Sequence, residues 1–296
     1  MTEPGYRSGL VTIIGAPNVG KSTLLNRVLG QKIAITSAKP QTTRNRILGV
    51  WTTPQSQVIF YDTPGVHQAR SLLNKRMVRT ALATLSDADI ILFMIELNRR
   101  EADNRLILEA LEKQKTPVIL VINKVDKVNK LELLPAMDRY NREMNLAAIV
   151  PISALNGDNV EHLTDEIVSI LPEGPQYYPP DMVTDQPERF IAAEMVREQI
   201  FVQTKQELPY STAVTVEEFD EQDADLVRIR AVIHVERNSQ KGIIIGKKGA
   251  MLKTIGTAAR VDIQRLTGAK VFLELFVKVE KNWSRNARAL SRFGYS

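Results

Sequence analysis

Cysteine is absent from this chain. That excludes disulfides, thiol nucleophiles and zinc–thiolate sites, and it fits a reducing, cytosolic setting. Histidine is scarce: His67, His162 and His234 are widely separated. Each is expected to face solvent or cap an element rather than to bind metal. No apolar run reaches the ~18 residues that a membrane-crossing helix needs. The opening Met1-Thr2-Glu3-Pro4-Gly5 lacks a basic stretch followed by an apolar one, so no secretory signal is expected.

What is present is ordinary in amount and uneven in placement. Hydrophobic residues make up 44% and charged residues 25% of 296 positions. That length suits about two domains, each with its own core. Net charge is +5, but residues 236–296 hold 13 Lys and Arg against 4 Asp and Glu, a balance of +9. The remainder is at −4, with 26 against 30. A basic C-terminal part points to a polyanionic partner.

The most specific stretch is Gly15 to Ser22, GAPNVGKS. It fits Gly-x-x-x-x-Gly-Lys-Ser, a loop that cradles phosphate. Gly15 and Gly20 let backbone N–H groups approach phosphate oxygens, Lys21 supplies a positive charge, and the Ser22 hydroxyl suits Mg²⁺. Ala16, Pro17, Asn18 and Val19 fill the loop and Thr23 follows it. An apolar run from Leu10 to Ile14 precedes, and a helical pattern to Leu29 follows and stops at Gly30. The loop therefore joins a strand to a helix N-terminus, where the helix dipole favours an anion.

Further along, Ser37 to Arg46 (SAKPQTTRNR) is polar and basic, and is expected to be a mobile loop. It carries Thr42 and Thr43. Short strands at Ile47–Trp51 and Gln57–Tyr61 lead to Asp62-Thr63-Pro64-Gly65, followed by Val66. An Asp at a strand end beside the phosphate loop suits Mg²⁺, and the Gly65 N–H suits a γ-phosphate. Helices are expected at Leu72–Leu85, Glu101–Gln114, Leu131–Asn145 and Val160–Leu171, and buried strands at Ile90–Ile95, Pro117–Ile122 and Ala148–Ile152.

The fourth of these strands runs into Asn123-Lys124-Val125-Asp126. A carboxylate at Asp126 accepts from guanine N1–H and its 2-amino group, a donor pair that adenine lacks. Asn123 and Lys124 pack around the base. Ser153 and Ala154 end the next strand, with the Ala154 N–H suited to guanine O6. Alternating strands and helices predict an α/β fold with a mostly parallel sheet wound on both faces. Every candidate site then follows a strand's C-terminal end, where such sheets bind ligands. The ordered set resembles the small GTPases of the translation-factor-related class over about residues 8–172.

Leu171 to Pro180 holds four Pro and a Gly, and residues 173–187 are expected to form a semi-rigid linker. Beyond it, Arg189–Phe201 reads as an amphipathic helix with Phe190, Ala193, Val196 and Ile200 on one face. Strands follow at Ser211–Phe219 and Leu226–Glu236. Gly242 to Gly249 (GIIIGKKG) leads into a helix to about Leu266, and Val271, Leu273, Leu275, Val277 and Val279 line a last strand. Helix, strand, strand, helix, loop, helix, strand resembles the α+β type II KH fold over 188–296. In that fold the loop Gly246-Lys247-Lys248-Gly249 clamps single-stranded nucleic acid. Gly242, Ile245 and Lys253 flank this RNA-binding loop.

A GTPase domain at 1–172 joined to such a domain resembles the Era family of bacterial GTPases, with TSAKPQTTRNR, DTPG, NKVD, ELPYS and GKKG all matching. The resemblance covers nearly the whole chain. It implies a monomeric, cytoplasmic GTPase with Mg²⁺ and GTP or GDP as ligands, in which Lys21, Thr43, Asp62 and Gly65 carry catalysis and the metal is served by Ser22, Asp62 and one loop threonine, Thr43 in preference to Thr42. Its implied partner is the 3′ end of small-subunit ribosomal RNA during assembly of the 30S subunit, and some members associate peripherally with the inner membrane. Val66 stands where Ras-type enzymes place a water-orienting Gln, so intrinsic hydrolysis should be slow. Potassium-activated relatives carry an Asn at the position of Asn18, which supports K⁺ as an added cofactor; an arginine finger supplied in trans is the alternative source of charge. The competing expectations are an RNA-binding assembly factor with a silent GTP site, and an ATPase, which Asp126 disfavours.

Overall fold

The computed structural model describes residues 5–69, 71–97, 104–204, 208–223 and 225–295. The chain divides into two compact units. One comprises Met1–Ala34, Thr43–Ala69 and Met77–Asp185, the other Ile35–Thr42, Arg70–Arg76 and Gln186–Ser296.

Unit 1 is built on a six-stranded sheet in the order β2-β3-β1-β4-β5-β6. The strands are β1 (Arg7–Gly15), β2 (Ile47–Thr52), β3 (Ser56–Asp62), β4 (Ile90–Ile95), β5 (Val118–Ile122) and β6 (Ala148–Pro151). All pairs are parallel except β2 with β3, which form a hairpin at one edge. Every residue of β4 and β5 is buried. Continuous apolar strands such as VILVI are what a sheet covered on both faces requires. Helices α1 (Lys21–Leu29), α2 (Leu72–Ala83), α3 (Arg105–Leu111), α4 (Lys130–Glu143) and α5 (Val160–Ile170) supply or flank that cover. Ile14, Phe93, Leu120 and Ile122 share one buried cluster with Val66, Leu85 and Ile107. The third expected helix begins at Arg105, and Glu101 lies outside the described residues.

The proline-rich stretch up to Asp185 clusters with unit 1. The N–H groups of Tyr177 and Tyr178 donate to the Gln57 amide oxygen at 2.8 and 2.9 Å. The Val50 N–H donates to the Val183 carbonyl at 2.7 Å, and the Thr184 hydroxyl donates to the Leu48 carbonyl at 2.6 Å. This segment is thus held on the β2–β3 edge by donating at Tyr177 and Tyr178, by accepting at Val183 and by the Thr184 side chain, while its prolines have no N–H to offer.

Unit 2 has a three-stranded sheet, β7-β8-β9. Its strands are β7 (Thr212–Asp223), β8 (Leu226–Val235) and β9 (Lys270–Val279), with β7 antiparallel and β9 parallel to β8. Helix α6 (Glu188–Gln203) packs on α8 (Ala250–Thr267) and β7. Helix α7 (Asn238–Ile245) precedes α8, and α9 (Ala287–Arg292) follows β9. The order of elements is that of the type II KH fold.

Two expectations fail in unit 2. Helix α6 is not amphipathic with a single buried face. It buries Ile191 through Glu198 without a break, including Glu194, Arg197 and Glu198. The three charged residues find partners inside, so burial of charge replaces a polar face. His234 does not face solvent either. It is 6% exposed, packs against Phe293 with ring centroids 4.4 Å apart and the planes tilted by 41°, and its Nε2 lies 2.9 Å from the Thr215 hydroxyl. Burial, with Lys278 and Arg292 nearby, lowers its pKa to about 4.

Segment 37–46 has no regular element, as its polarity suggests. Thr42, Thr43 and Arg44 are nonetheless buried. Hydrogen bonds do there what apolar burial does elsewhere.

Candidate nucleotide and nucleic-acid sites

The turn after β1 runs from Gly15 to Gly20 and delivers Lys21, Ser22 and Thr23 into the first turn of α1. Gly20 has φ 106°, a left-handed conformation, and a Cβ there would lie 2.2 Å from Asn123 Nδ2. Any side chain would displace Asn123 from the loop. Lys21 is buried, and its ammonium donates to the Gly15 and Ala16 carbonyls at 3.1 and 3.0 Å. The loop thus closes around its own cation, with Ala16 and Val19 buried beneath and Pro17 and Asn18 part-exposed.

At the end of β3, Asp62 reaches the start of α1. The Ser22 hydroxyl donates to Asp62 Oδ2 at 2.6 Å and lies 2.8 Å from the Thr43 hydroxyl. Three sequence-predicted oxygens therefore converge. Asp62 Oδ1 is buried with no hydrogen-bond partner among the described residues. Burial pushes the Asp62 carboxyl up to about 6, against the Lys21 charge and the Ser22 and Thr43 hydroxyls, which pull it down. A buried carboxylate oxygen left over beside two hydroxyls is short of a cation. These residues fit Mg²⁺, and the preference belongs to hard oxygen donors. Among the described residues no cluster of three His, Cys, Asp or Glu side chains offers a metal site.

Thr63 is buried and its hydroxyl donates to the Ile13 carbonyl at 2.7 Å. After Pro64, Gly65 sits so close to the phosphate loop that a Cβ would lie 2.6 Å from Pro17 Cα. The Val66 N–H donates to the Gly15 carbonyl at 3.1 Å, and its side chain is fully buried in the core. Val66 therefore offers no group to a water at this site.

Asn123 follows β5 and ties two loops together. Its amide donates to the Val19 carbonyl at 2.7 Å and accepts from the Ala154 N–H at 2.9 Å. The Ala154 N–H, expected to face guanine O6, is engaged by Asn123 instead. Lys124 adopts a left-handed φ of 64° and pairs with Glu96 at 2.8 Å. Asp126 sits in the following turn with its residue exposed. Ser153 is buried beyond β6. Arg27 of α1 donates to the Ala154 and Leu155 carbonyls. Arg27 and Glu96 escaped the sequence reading because no spacing links a helix arginine to a loop 127 residues away.

In unit 2, Gly246 to Gly249 form the tight turn between α7 and α8, with Gly242 in the last turn of α7. Lys247, Lys248 and Lys253 are exposed, and Ile245 and Gly249 are half-buried. Gly249 and Lys253 line an open cleft of about 400 Å³ between α8 and β9, with Arg260 and Phe272. Phe272 is 50% exposed on the strand face opposite Val271. Sequence reading passed over Phe272 and Arg260. The alternation of β9 placed Phe272 off the core face, which was the available signal.

A phosphate loop, a hydroxyl–carboxylate set and an Asn-Lys-x-Asp turn on one parallel sheet define a P-loop GTPase, here followed by a KH domain. A family model described as 50S ribosome-binding GTPase matches residues 10–124, and one described as KH domain matches residues 207–284. GTPase Era of Geobacter metallireducens is 55% identical over 100% of both chains, and that of Geotalea uraniireducens is 56% identical, also over 100% of both. A crystal structure of Era in complex with MgGDPNP and nucleotides 1506–1542 of 16S ribosomal RNA is 43% identical, covers 98% of this chain and 99% of that one, and has a TM-score of 0.94. An Aquifex aeolicus Era variant bound to GDP·AlF4⁻ matches with the same values. The chain belongs to the Era family of GTPases. Among the described residues no helix is long and apolar enough to cross a membrane.

Proposed function

We propose that this chain is a GTP-driven switch that binds single-stranded RNA at the 3′ end of the small-subunit ribosomal RNA during assembly of that subunit. The observation that carries the nucleotide half is the convergence of Ser22, Thr43 and Asp62, with one buried carboxylate oxygen unpartnered. The RNA half is supported by the exposed Lys247 and Lys248 beside the α8–β9 cleft, and by the 16S segment held by the related Era.

On GTP binding, Gly15–Thr23 wraps the phosphates and the Lys21 ammonium exchanges its two carbonyl partners for β- and γ-phosphate oxygens. Ser22, Thr43 and Asp62 would hold Mg²⁺, which would supply positive charge against the charge that develops on the phosphates. The Gly65 N–H senses the γ-phosphate, and Asp126 reads guanine with Asn123, Lys124, Ser153 and Ala154 supporting the base pocket. Loss of the γ-phosphate releases Thr43 and Gly65 and converts hydrolysis into segment movement. Because Val66 is apolar and buried, no side chain there orients water. A monovalent cation, for which the Asn18 amide oxygen is the candidate ligand, would supply positive charge instead.

Steady-state GTP turnover, with and without an oligonucleotide of the 16S 3′ end, tests the proposal. Slow basal turnover, stimulated by the RNA and faster in KCl than in NaCl at equal ionic strength, is the expected result. Turnover indifferent to RNA would favour a GTP site that is structural. Equal rates in the two salts would remove the cation and leave an activating partner in its place.

A further inference from the structure

Unit 2 contains a strap, residues 35–42, laid against α6. Its anchors are polar and local. The Thr36 N–H donates to Glu198 Oε1 at 2.8 Å. The Lys39 ammonium donates to the Phe201 and Thr204 carbonyls at the C-terminal end of α6, where a cation suits the helix dipole. The Thr42 hydroxyl donates back to the Lys39 carbonyl at 2.9 Å. The last anchor is Arg197, which is fully buried. Its guanidinium is bound to Glu194 through Nε at 2.7 Å and through Nη2, and Nη2 also donates to the Thr42 carbonyl.

An arginine at 0% exposure is a costly way to fill a helix face. Leucine would pack as well and desolvate nothing. What leucine lacks is a donor for a backbone carbonyl, and that carbonyl belongs to the residue before Thr43. Rotation about the Thr42–Thr43 peptide swings the Thr43 hydroxyl relative to Ser22, and the bond from Arg197 opposes that rotation.

We propose that Arg197, oriented by Glu194, is a positioning residue that presents Thr43 to the metal through the Thr42 carbonyl. The inference rests on the reading of Ser22, Thr43 and Asp62 as the Mg²⁺ set. It separates the two nucleotide states, because Thr43 serves the metal only while a γ-phosphate is present, whereas Ser22 serves it in both.

The test is Mg²⁺ titration of the full chain bound to GDPNP and, separately, to GDP, read by a fluorescent nucleotide. Glu194→Gln/Arg197→Met removes both buried charges together. Lys39→Met loosens the strap while leaving the buried pair intact, and it decides alone if the double variant does not fold. In either variant the Mg²⁺ half-saturation for the GDPNP complex should rise, by about tenfold for the double variant and about threefold for Lys39→Met, as loss of charge-assisted hydrogen bonds implies. The GDP complex should stay within about twofold of wild type. Unchanged Mg²⁺ demand with GDPNP, or an equal rise with both nucleotides, overturns the inference. Thr43→Ala is the control: if it leaves the GDPNP titration unmoved, the metal reading itself fails, whatever the other variants do.

Discussion

Asp126 turns purine choice into the sign of a hydrogen bond. A carboxylate accepts from both guanine donors, and an amide would present one N–H to a donor. Asp126→Asn should weaken GTP by on the order of 100-fold or more and favour xanthosine triphosphate, which offers a carbonyl at that edge. Competition binding with the two nucleotides checks it, and undiminished GTP affinity would remove Asp126 from the base site. His234 makes a second prediction. Its pKa is lowered to about 4 by burial, with help from Lys278 and Arg292, and Glu280 at 3.6 Å does not reverse this. The Nδ1 atom has no hydrogen-bond partner among the described residues, which agrees with a neutral ring. In the unfolded chain the ring titrates near 6.5, so the unfolded state binds the extra proton first. The contribution of His234 to stability is therefore full above about pH 6.5 and is lost as pH falls toward 4, by about 3 kcal/mol. The raised Asp62 carboxyl contributes a slope of opposite sign in the same window. The His234 contribution is therefore read by urea denaturation between pH 7 and pH 4.5 as the difference between wild type and His234→Gln, which should shrink as pH falls.

At the scale of elements, the α7–turn–α8 pair sets two lysines out on a rigid mount. Exposure of Lys247 and Lys248 leaves their charge free to meet phosphate, while Ile244 and Ile255 anchor the two helices beneath. Replacing Lys247 and Lys248 by Asp should abolish RNA binding at physiological salt and leave GTP affinity unchanged. Replacing them by Ala should cut the slope of log affinity against log salt by about 1 to 1.5, if each lysine meets one phosphate of a single strand. Fluorescence anisotropy across a salt series measures both. Wild-type RNA affinity in the Asp variant would show that the turn is a solvated surface. The cleft wall carries a different chemistry: Phe272 and Arg260 line it with a ring and a guanidinium, groups of the kind on which single-stranded bases stack.

For the whole molecule, a switch is a coupling free energy, and coupling is reciprocal. If GDPNP raises RNA affinity over that with GDP by some factor, RNA must raise the preference for GDPNP over GDP by the same factor. A factor of about 10 corresponds to about 1.4 kcal/mol, within the usual range for such coupling. Measuring both legs by calorimetry closes the cycle. RNA affinity independent of the bound nucleotide would mean that the two activities merely share a chain.

Much of this was legible before any fold was drawn. The phosphate loop, Asp62-Thr63-Pro64-Gly65, the Asn-Lys-x-Asp turn and the Gly-Lys-Lys-Gly turn are short-range patterns, set by backbone geometry and by the chemistry of phosphate and guanine. The buried strands were legible because a sheet covered on both faces admits only apolar residues. Long-range packing was not legible. Helix α6 has charges at Glu194, Arg197 and Glu198 that read as a solvated face, yet the strap at 36–42 meets Glu198 and Arg197 with backbone groups 162 and 155 residues away in the chain, and Glu194 pairs with Arg197. His234 sits at a strand position whose neighbours Arg228 and Arg230 are exposed, and α9 with Phe293 covers it. Asn123 takes the Ala154 N–H because two strand ends lie side by side, a fact of sheet order rather than of spacing. Local sequence by itself determined which groups are candidates for nucleotide, metal and RNA, since candidacy depends on residue type and short spacing. Only tertiary structure decided which polar groups are buried and paired, because burial depends on elements that the chain brings back from far away.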